Sequence, residues 1–229
     1  MKEKITNNLM ELRGRIAEAC EQYDRDADDI SILAVTKRFP ASVVQTVVAA
    51  GLTDIGESRI QEAGDKIAEL GTIARYHLIG HLQTNKVKKA VALFDVIQSV
   101  DSFKLAEEIN RRIGEVGRTI ECLVQVNVSG EENKFGISPE SAIELMEKIH
   151  QLPSIDQVGL MAIGPLTDDE TRIRESFQTA RLLFQQGRDL FGDSFDTLSM
   201  GMSDDFTLAI AEGSTMIRVG TGLFGSRPQ

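Results

Sequence analysis

Cysteine is scarce, basic charge is in deficit and long apolar runs are missing, and each absence closes off a class of function. Cys20 falls in a helical pattern and Cys122 in a strand pattern. Two cysteines without close spacing build neither a disulfide framework nor a zinc site, and both read as buried, inert thiols. Lys and Arg total 25 against 35 Asp and Glu, a formal charge of −10, which opposes sequence-independent nucleic-acid binding through phosphate neutralisation. No apolar segment nears the roughly 18 residues of a membrane helix, and Met1 to Asn8 lacks the apolar stretch of a secretory leader. The expectation is a cytoplasmic protein with neither nucleic acid nor membrane as partner, in which the sequon Asn127-Val-Ser129 has no meaning. No metal is expected: His77 and His81 are four apart but fall in a strand and a loop, so helical ligand spacing does not apply, and His150 ends a helix. Neither a G-x-x-x-x-G-K loop nor a serine nucleophile elbow is present.

What is there is an alternation. The chain is 41% hydrophobic and 26% charged, a globular composition, without linker or low-complexity tract, so residues 1–229 are taken as one domain. Ile5, Leu9, Leu12, Ile16, Ala17 and Cys20 give an amphipathic leader helix over about 5–23. The apolar run Ile32 to Val35 then suits a strand covered on both faces, ending at Lys37 and Pro40. Strands near 53–55, 76–79, 96–98, 120–128, 157–163, 197–199 and 216–219 follow, separated by helical patterns at 41–50, 59–70, 83–93, 102–115, 139–150, 168–190 and 204–211. Eight such units predict an α/β fold, a single-domain (β/α)8 TIM-type barrel with an extra N-terminal helix.

In such a barrel the chemistry sits at the C-terminal ends of the strands, with a recurrent phosphate site after strands seven and eight. Lys37 follows the first strand, Gly56-Glu-Ser58 the second and Gly80-His-Leu-Gln83 with Asn85 the third. Asn127 with Ser129-Gly130 follows the fifth, Ser199-Met-Gly-Met-Ser203 ends the seventh and Arg218 to Gly222 the eighth. A strand-end lysine is either a solvated terminus or an amine held in a dry mouth, where it can attack carbonyls. Ser203 is expected to cap the helix beginning at Asp204 and, with Gly220 and Thr221, to offer donors to a phosphate, Asp204 and Asp205 facing outward. Arg218 is a candidate for pairing with a ligand heteroatom. The short basic cluster Lys86-Val-Lys88-Lys89 reads as a solvated helix face able to attract an anion locally, and the acidic runs Glu131-Glu132 and Asp168 to Glu170 as solubility charges.

The motifs Ala34-Val-Thr-Lys37, Ile55-Gly-Glu-Ser-Arg-Ile-Gln-Glu62, His77-Leu-Ile-Gly80 with Leu82-Gln-Thr-Asn-Lys86, Asn127 to Gly130 with Lys134-Phe-Gly136, Gly159-Leu-Met161, Leu198 to Ser203, and Arg218-Val-Gly-Thr221 with Phe224-Gly225 run nearly end to end. Together they resemble the pyridoxal phosphate homeostasis proteins, relatives of the N-terminal barrel of alanine racemase. The resemblance implies that Lys37 holds pyridoxal 5′-phosphate as a Schiff base, that Ser203, Gly220 and Thr221 hold its phosphate, and that Arg218 faces the pyridine nitrogen. Ser58 stands where the family usually has asparagine, which puts any cofactor contact of that position in doubt. An arginine there weakens the ring as an electron sink, and the sequence ends at Gln229, soon after the eighth strand, where racemases add a second domain. The expected function is therefore cofactor carriage and homeostasis without committed turnover, by a monomer whose recipients would be pyridoxal phosphate-dependent apoenzymes. The alternatives are a low-activity amino-acid racemase and a cofactor-free lysine aldolase on a phosphosugar barrel.

Overall fold

In the computed structural model, which describes residues 2–131 and 134–225, eight parallel strands close into a barrel in sequence order. The elements are α1 (Lys2–Gln22), β1 (Ser31–Val35), α2 (Ala41–Ala49), β2 (Asp54–Glu57), α3 (Ile60–Leu70), β3 (Arg75–Leu78), α4 (Val87–Leu93) and β4 (Val96–Val100). They continue with α5 (Phe103–Gly114), β5 (Ile120–Val126), α6 (Pro139–His150), β6 (Ile155–Ala162), α7 (Glu170–Phe191), β7 (Thr197–Ser199), α8 (Phe206–Ala211), β8 (Met216–Val219) and a short α9 (Thr221–Phe224). The expected barrel with its extra N-terminal helix is thus the architecture. Glu132 of the acidic pair and Gln229 lie outside the described residues.

Leu33 and Ala34, adjacent in β1, are both fully buried, which requires cover on both faces of the strand. Ala34, Ile55 and Val219 face the helices in the main core, and Val96, Leu123 and Met161 pack together inside the barrel. Each such Leu, Ile or Phe contributes about 1.5–3 kcal/mol by leaving water. On α1 the buried stripe is Ile5, Leu9, Leu12, Ile16, Ala19 and Cys20. Ala17 is exposed, contrary to expectation, because Ala19 and Cys20 lie three and four residues beyond Ile16 while Ala17 is turned about 100° off that face. This helix packs on α8 and α9, and Asn8 Nδ2 donates to the Leu223 carbonyl at 2.8 Å.

Several boundaries differ from the expected ones, with consequences at the barrel mouth. Gly56 and Glu57 belong to β2 rather than to the loop after it, because the pairing with β3 runs through Glu57 opposite Leu78. The first helical residue of α8 is Phe206, and the loop after the eighth strand enters a short helix, α9, with Gly220 as its N-cap. Both cysteines are free and buried, and burial pushes both thiols up. Among the described residues no cluster of His, Cys, Asp or Glu could hold a metal ion, and no helix is long and apolar enough to cross a membrane.

Candidate functional site

Barrel closure brings the first strand against the last, with Leu33 opposite Arg218 and Ala34 opposite Val219. One pocket opens where those strands end, lined by Val35, Lys37, Phe39, Ile79, Arg218 and the loops carrying Ser203 and Gly220 with Thr221. The five residues expected to form a site, Lys37, Ser203, Arg218, Gly220 and Thr221, therefore share one cavity. Phe39 packs on Phe224 of α9 with centroids 4.6 Å apart, tying the lysine's turn to the glycine loop.

Lys37 sits half-buried in a turn two residues beyond β1, and the residues on either side of it are fixed by Glu57 of β2 and by Glu62 and Lys66 of α3. Lys66 of α3 is buried, and its Nζ donates to the Thr36 carbonyl at 2.7 Å, to Glu57 Oε1 at 2.6 Å and to Glu62 Oε1 at 2.8 Å. The Thr36 hydroxyl donates to Glu57 Oε1 at 2.6 Å, and the Arg38 amide donates to Glu62 Oε1. Arg38 takes φ 67°, a left-handed conformation that disfavours a residue with a Cβ by roughly 1–2 kcal/mol, so the turn needs these ties. Glu57 is on the same face of β2 as Ile55, toward α3, and fully buried. Burial pushes its carboxyl up, against the pull of Lys66 and Thr36.

Arg218 faces the barrel interior from β8 and is also buried. Its Nη1 donates to the Ser199 carbonyl at 2.7 Å and to Ser199 Oγ at 2.9 Å, and Nη2 to the Ala162 carbonyl at 2.8 Å. These acceptors are neutral. Desolvation brings its pKa down to about 10, with Asp205 nearby acting the other way, so the guanidinium is charged at neutral pH. From Ser199 a chain of hydrogen bonds crosses the barrel. Ser199 Oγ donates to Gln98 Oε1 at 2.8 Å, Gln98 Nε2 lies 2.9 Å from His77 Nδ1, and His77 Nε2 lies 2.9 Å from Asp54 Oδ1. With Gln98 donating to Nδ1, His77 carries its proton on Nε2 and donates to Asp54, so every link points from Arg218 toward the carboxylate. The bond from His77 holds Asp54 below the usual range.

The anion side of the pocket is built of two loops in contact. Gly222 N–H donates to Ser203 Oγ at 3.1 Å, and a Cβ on Gly222 would stand 2.9 Å from Val219 Cγ1, so a side chain there would crowd the end of β8. Ser203 is therefore a bridge between loops and not the cap of α8, whose N-cap is Asp205. Its hydroxyl proton stays available to a ligand. The expectation that both aspartates face outward is also corrected. Asp204 is exposed but lines the pocket, while Asp205 Oδ1 accepts from the Met202 amide at 2.5 Å. Asn127, Ser129 and Lys134 serve their own loop: Asn127 Nδ2 donates to the carbonyls of Glu131 and Lys134, and Lys134 Nζ to the Gly164 carbonyl.

This donor set fits a small phosphorylated aldehyde: hydroxyl and backbone N–H groups for an anion, a buried cation for a ring heteroatom, and an amine across the pocket. The comparisons agree. A model of the alanine racemase N-terminal domain matches residues 12–228. A pyridoxal phosphate homeostasis protein from Pseudomonas aeruginosa is 40% identical over 227 residues, covering 97% of this chain and 96% of that protein. The structure of PipY from Synechococcus elongatus with PLP bound superposes with a TM-score of 0.82 at 36% identity, covering 96% of this chain and 100% of that one. An alanine racemase from Clostridium difficile shares the fold, with a TM-score of 0.81 at 16% identity, over 99% of this chain and 58% of the racemase.

Proposed function

The chain belongs to the alanine racemase N-terminal domain family and, within it, to the pyridoxal phosphate homeostasis proteins, and we propose that it binds pyridoxal 5′-phosphate at the barrel mouth, carries it as a Schiff base on Lys37 and buffers its supply. The observation that carries this reading is the convergence of Lys37, Arg218 and the Ser203–Gly222 bridge on one pocket. The chemistry such a group supplies is an aldehyde open to reversible condensation with a primary amine. Lys37 is that amine, presented by a turn whose flanking groups are tied to Lys66, Glu57 and Glu62. Ser203, Gly220 and Thr221 hold the phosphate through hydroxyl and backbone donors. Arg218, charged at neutral pH, disfavours a proton on a ring nitrogen set against it.

That charge favours a carrier over carbanion chemistry, and the pocket lining supports the same reading. Its titratable residues among those described are Lys37, Asp204 and Arg218, and Asp204 directly follows Ser203 in the loop on the anion side. The reading includes a cytoplasmic, monomeric protein whose recipients are pyridoxal phosphate-dependent apoenzymes. Titrating pyridoxal 5′-phosphate into the purified chain should give an absorbance band distinct from that of the free compound, and Lys37→Ala should abolish it. Incubation with a single-enantiomer amino acid should leave its configuration unchanged; inversion beyond one equivalent per chain would overturn the carrier reading.

A further inference from the structure

The geometry points to a second anion site, a cleft on the same barrel face built for the phosphate of a small phosphate monoester. It lies between the start of α3 and the β3–α4 segment and is lined by Ser58, Arg59, His81, Asn85, Lys86 and Lys89 together with Ile60 and Gln61. The main pocket and the cleft share the strip Ile79–His81: Ile79 lines the first and His81 the second. The strip is held against β2's loop at close range, since a Cβ on Gly80 would meet the Ser58 carbonyl oxygen at 2.2 Å. Ser58 therefore belongs to this cleft rather than to the pocket around Lys37.

The composition of the lining selects the ligand. In a chain of net charge −10, three cations converge here and no carboxylate lines the cleft. Elsewhere on the barrel the basic side chains repeatedly find partners, as Arg111 and Arg112 do with Glu108 and Glu115. Arg59, Lys86 and Lys89 have no ion pair or side-chain hydrogen bond among the described residues. Acids stand at its margins: Arg59 and Gln61 also border a neighbouring cleft with Glu62, Asp65 and Glu69, where Glu62 is taken by Lys66 and the Arg38 amide and Asp65 accepts from Gln61 at 3.0 Å, while Asp101 lies 3.4 Å from His81 Nδ1. The Ser58 hydroxyl and the Asn85 amide add neutral donors, and α3 begins at Ile60, its N-cap Arg59 giving no side-chain cap to the first-turn N–H groups. Donors of both kinds against an absence of carboxylates suit an acceptor-only dianion. The concave shape, with the His81 ring stacked on Phe135 at 3.8 Å beside it, suits a phosphate carried on a small planar body more than an extended acidic chain. This site does not depend on what fills the pocket around Lys37.

The test is amide-resolved NMR of the full chain titrated with phenyl phosphate, which reads both sites by residue. The amides of Ile60, Gln61, Asn85 and Lys86 should shift and saturate, independently of any response at Gly220 to Gly222. In Lys86→Gln with Lys89→Gln, two exposed side chains whose loss leaves no buried group unpaired, the cleft affinity should fall at least about tenfold while any response at Gly220 to Gly222 is unchanged. Added salt should weaken the cleft response in the unmodified chain. Absence of a saturable shift at the cleft, or an undiminished affinity in the double variant, overturns the proposal whatever happens in the main pocket.

Discussion

Lys66 and Arg218 are both 5% exposed, yet the barrel treats these two buried cations in opposite ways. Lys66 is enclosed by two carboxylates and a carbonyl, all within 2.8 Å, so its charge is answered within the protein. Arg218 rests on two carbonyls and a hydroxyl, its nearest carboxylate relation being the more distant Asp205. An ion is taken out of water at a penalty of several kcal/mol unless paired. A cation left among neutral acceptors at the wall of a pocket is therefore free of a competing carboxylate contact and placed to accept a ligand. Lys66 shapes the turn that presents Lys37; in the proposed function Arg218 is the group that meets the ligand's ring.

The comparison breaks most visibly at Lys66. Lys66→Ala strands Glu57 as a buried, unpaired carboxyl and should lower unfolding stability by about 3–5 kcal/mol, read by urea denaturation; a loss under 1 kcal/mol would remove its structural role. Arg218→Met should behave in reverse, changing stability by only about 1 kcal/mol in either direction, because relief of desolvation offsets the lost hydrogen bonds. The same variant should bind pyridoxal 5′-phosphate at least roughly tenfold more weakly, the loss of one charge-assisted contact. Ser203→Ala should weaken that binding by roughly three- to tenfold, the worth of one hydrogen bond, measured by equilibrium titration. The smallest effect concerns pH and the far end of the chain of hydrogen bonds behind Arg218. Asp54 is held low by His77, so its contribution is present above the ordinary aspartate pKa of 3.8 and is lost as the pH falls through the folded value. Asp54→Asn should flatten the acid limb of the stability curve just below that point; an unchanged limb would detach Asp54 from the relay.

What could be read in the sequence was whatever is written in a single segment. The Ile32–Val35 run, the glycine-bearing loops after the seventh and eighth strands, and the order of eight units were each local, and closure then placed Lys37 beside Gly220. What could not be read depended on facing across segments. Glu57 looked like a loop residue because β2 is short, and only its register against β3 puts it in the strand and toward Lys66. Gln98 and Ser199, 101 positions apart in the chain, meet only inside the closed barrel. Ser203 carried the composition of a helix cap, but contact with Gly222 claims its oxygen first. The basic Lys86–Lys89 cluster was legible as charge; the missing carboxylates around it were not.

The proposed carrier role rests on Lys37, held in its turn by the Lys66 network, as the amine that takes the cofactor. Borohydride reduction of the chain loaded with pyridoxal 5′-phosphate, followed by proteolysis and mass-spectrometric mapping, tests it most directly. One phosphopyridoxyl group per chain is expected, on the peptide containing Lys37. A modification found instead on Lys66, Lys86 or another lysine, with Lys37 untouched, would contradict it.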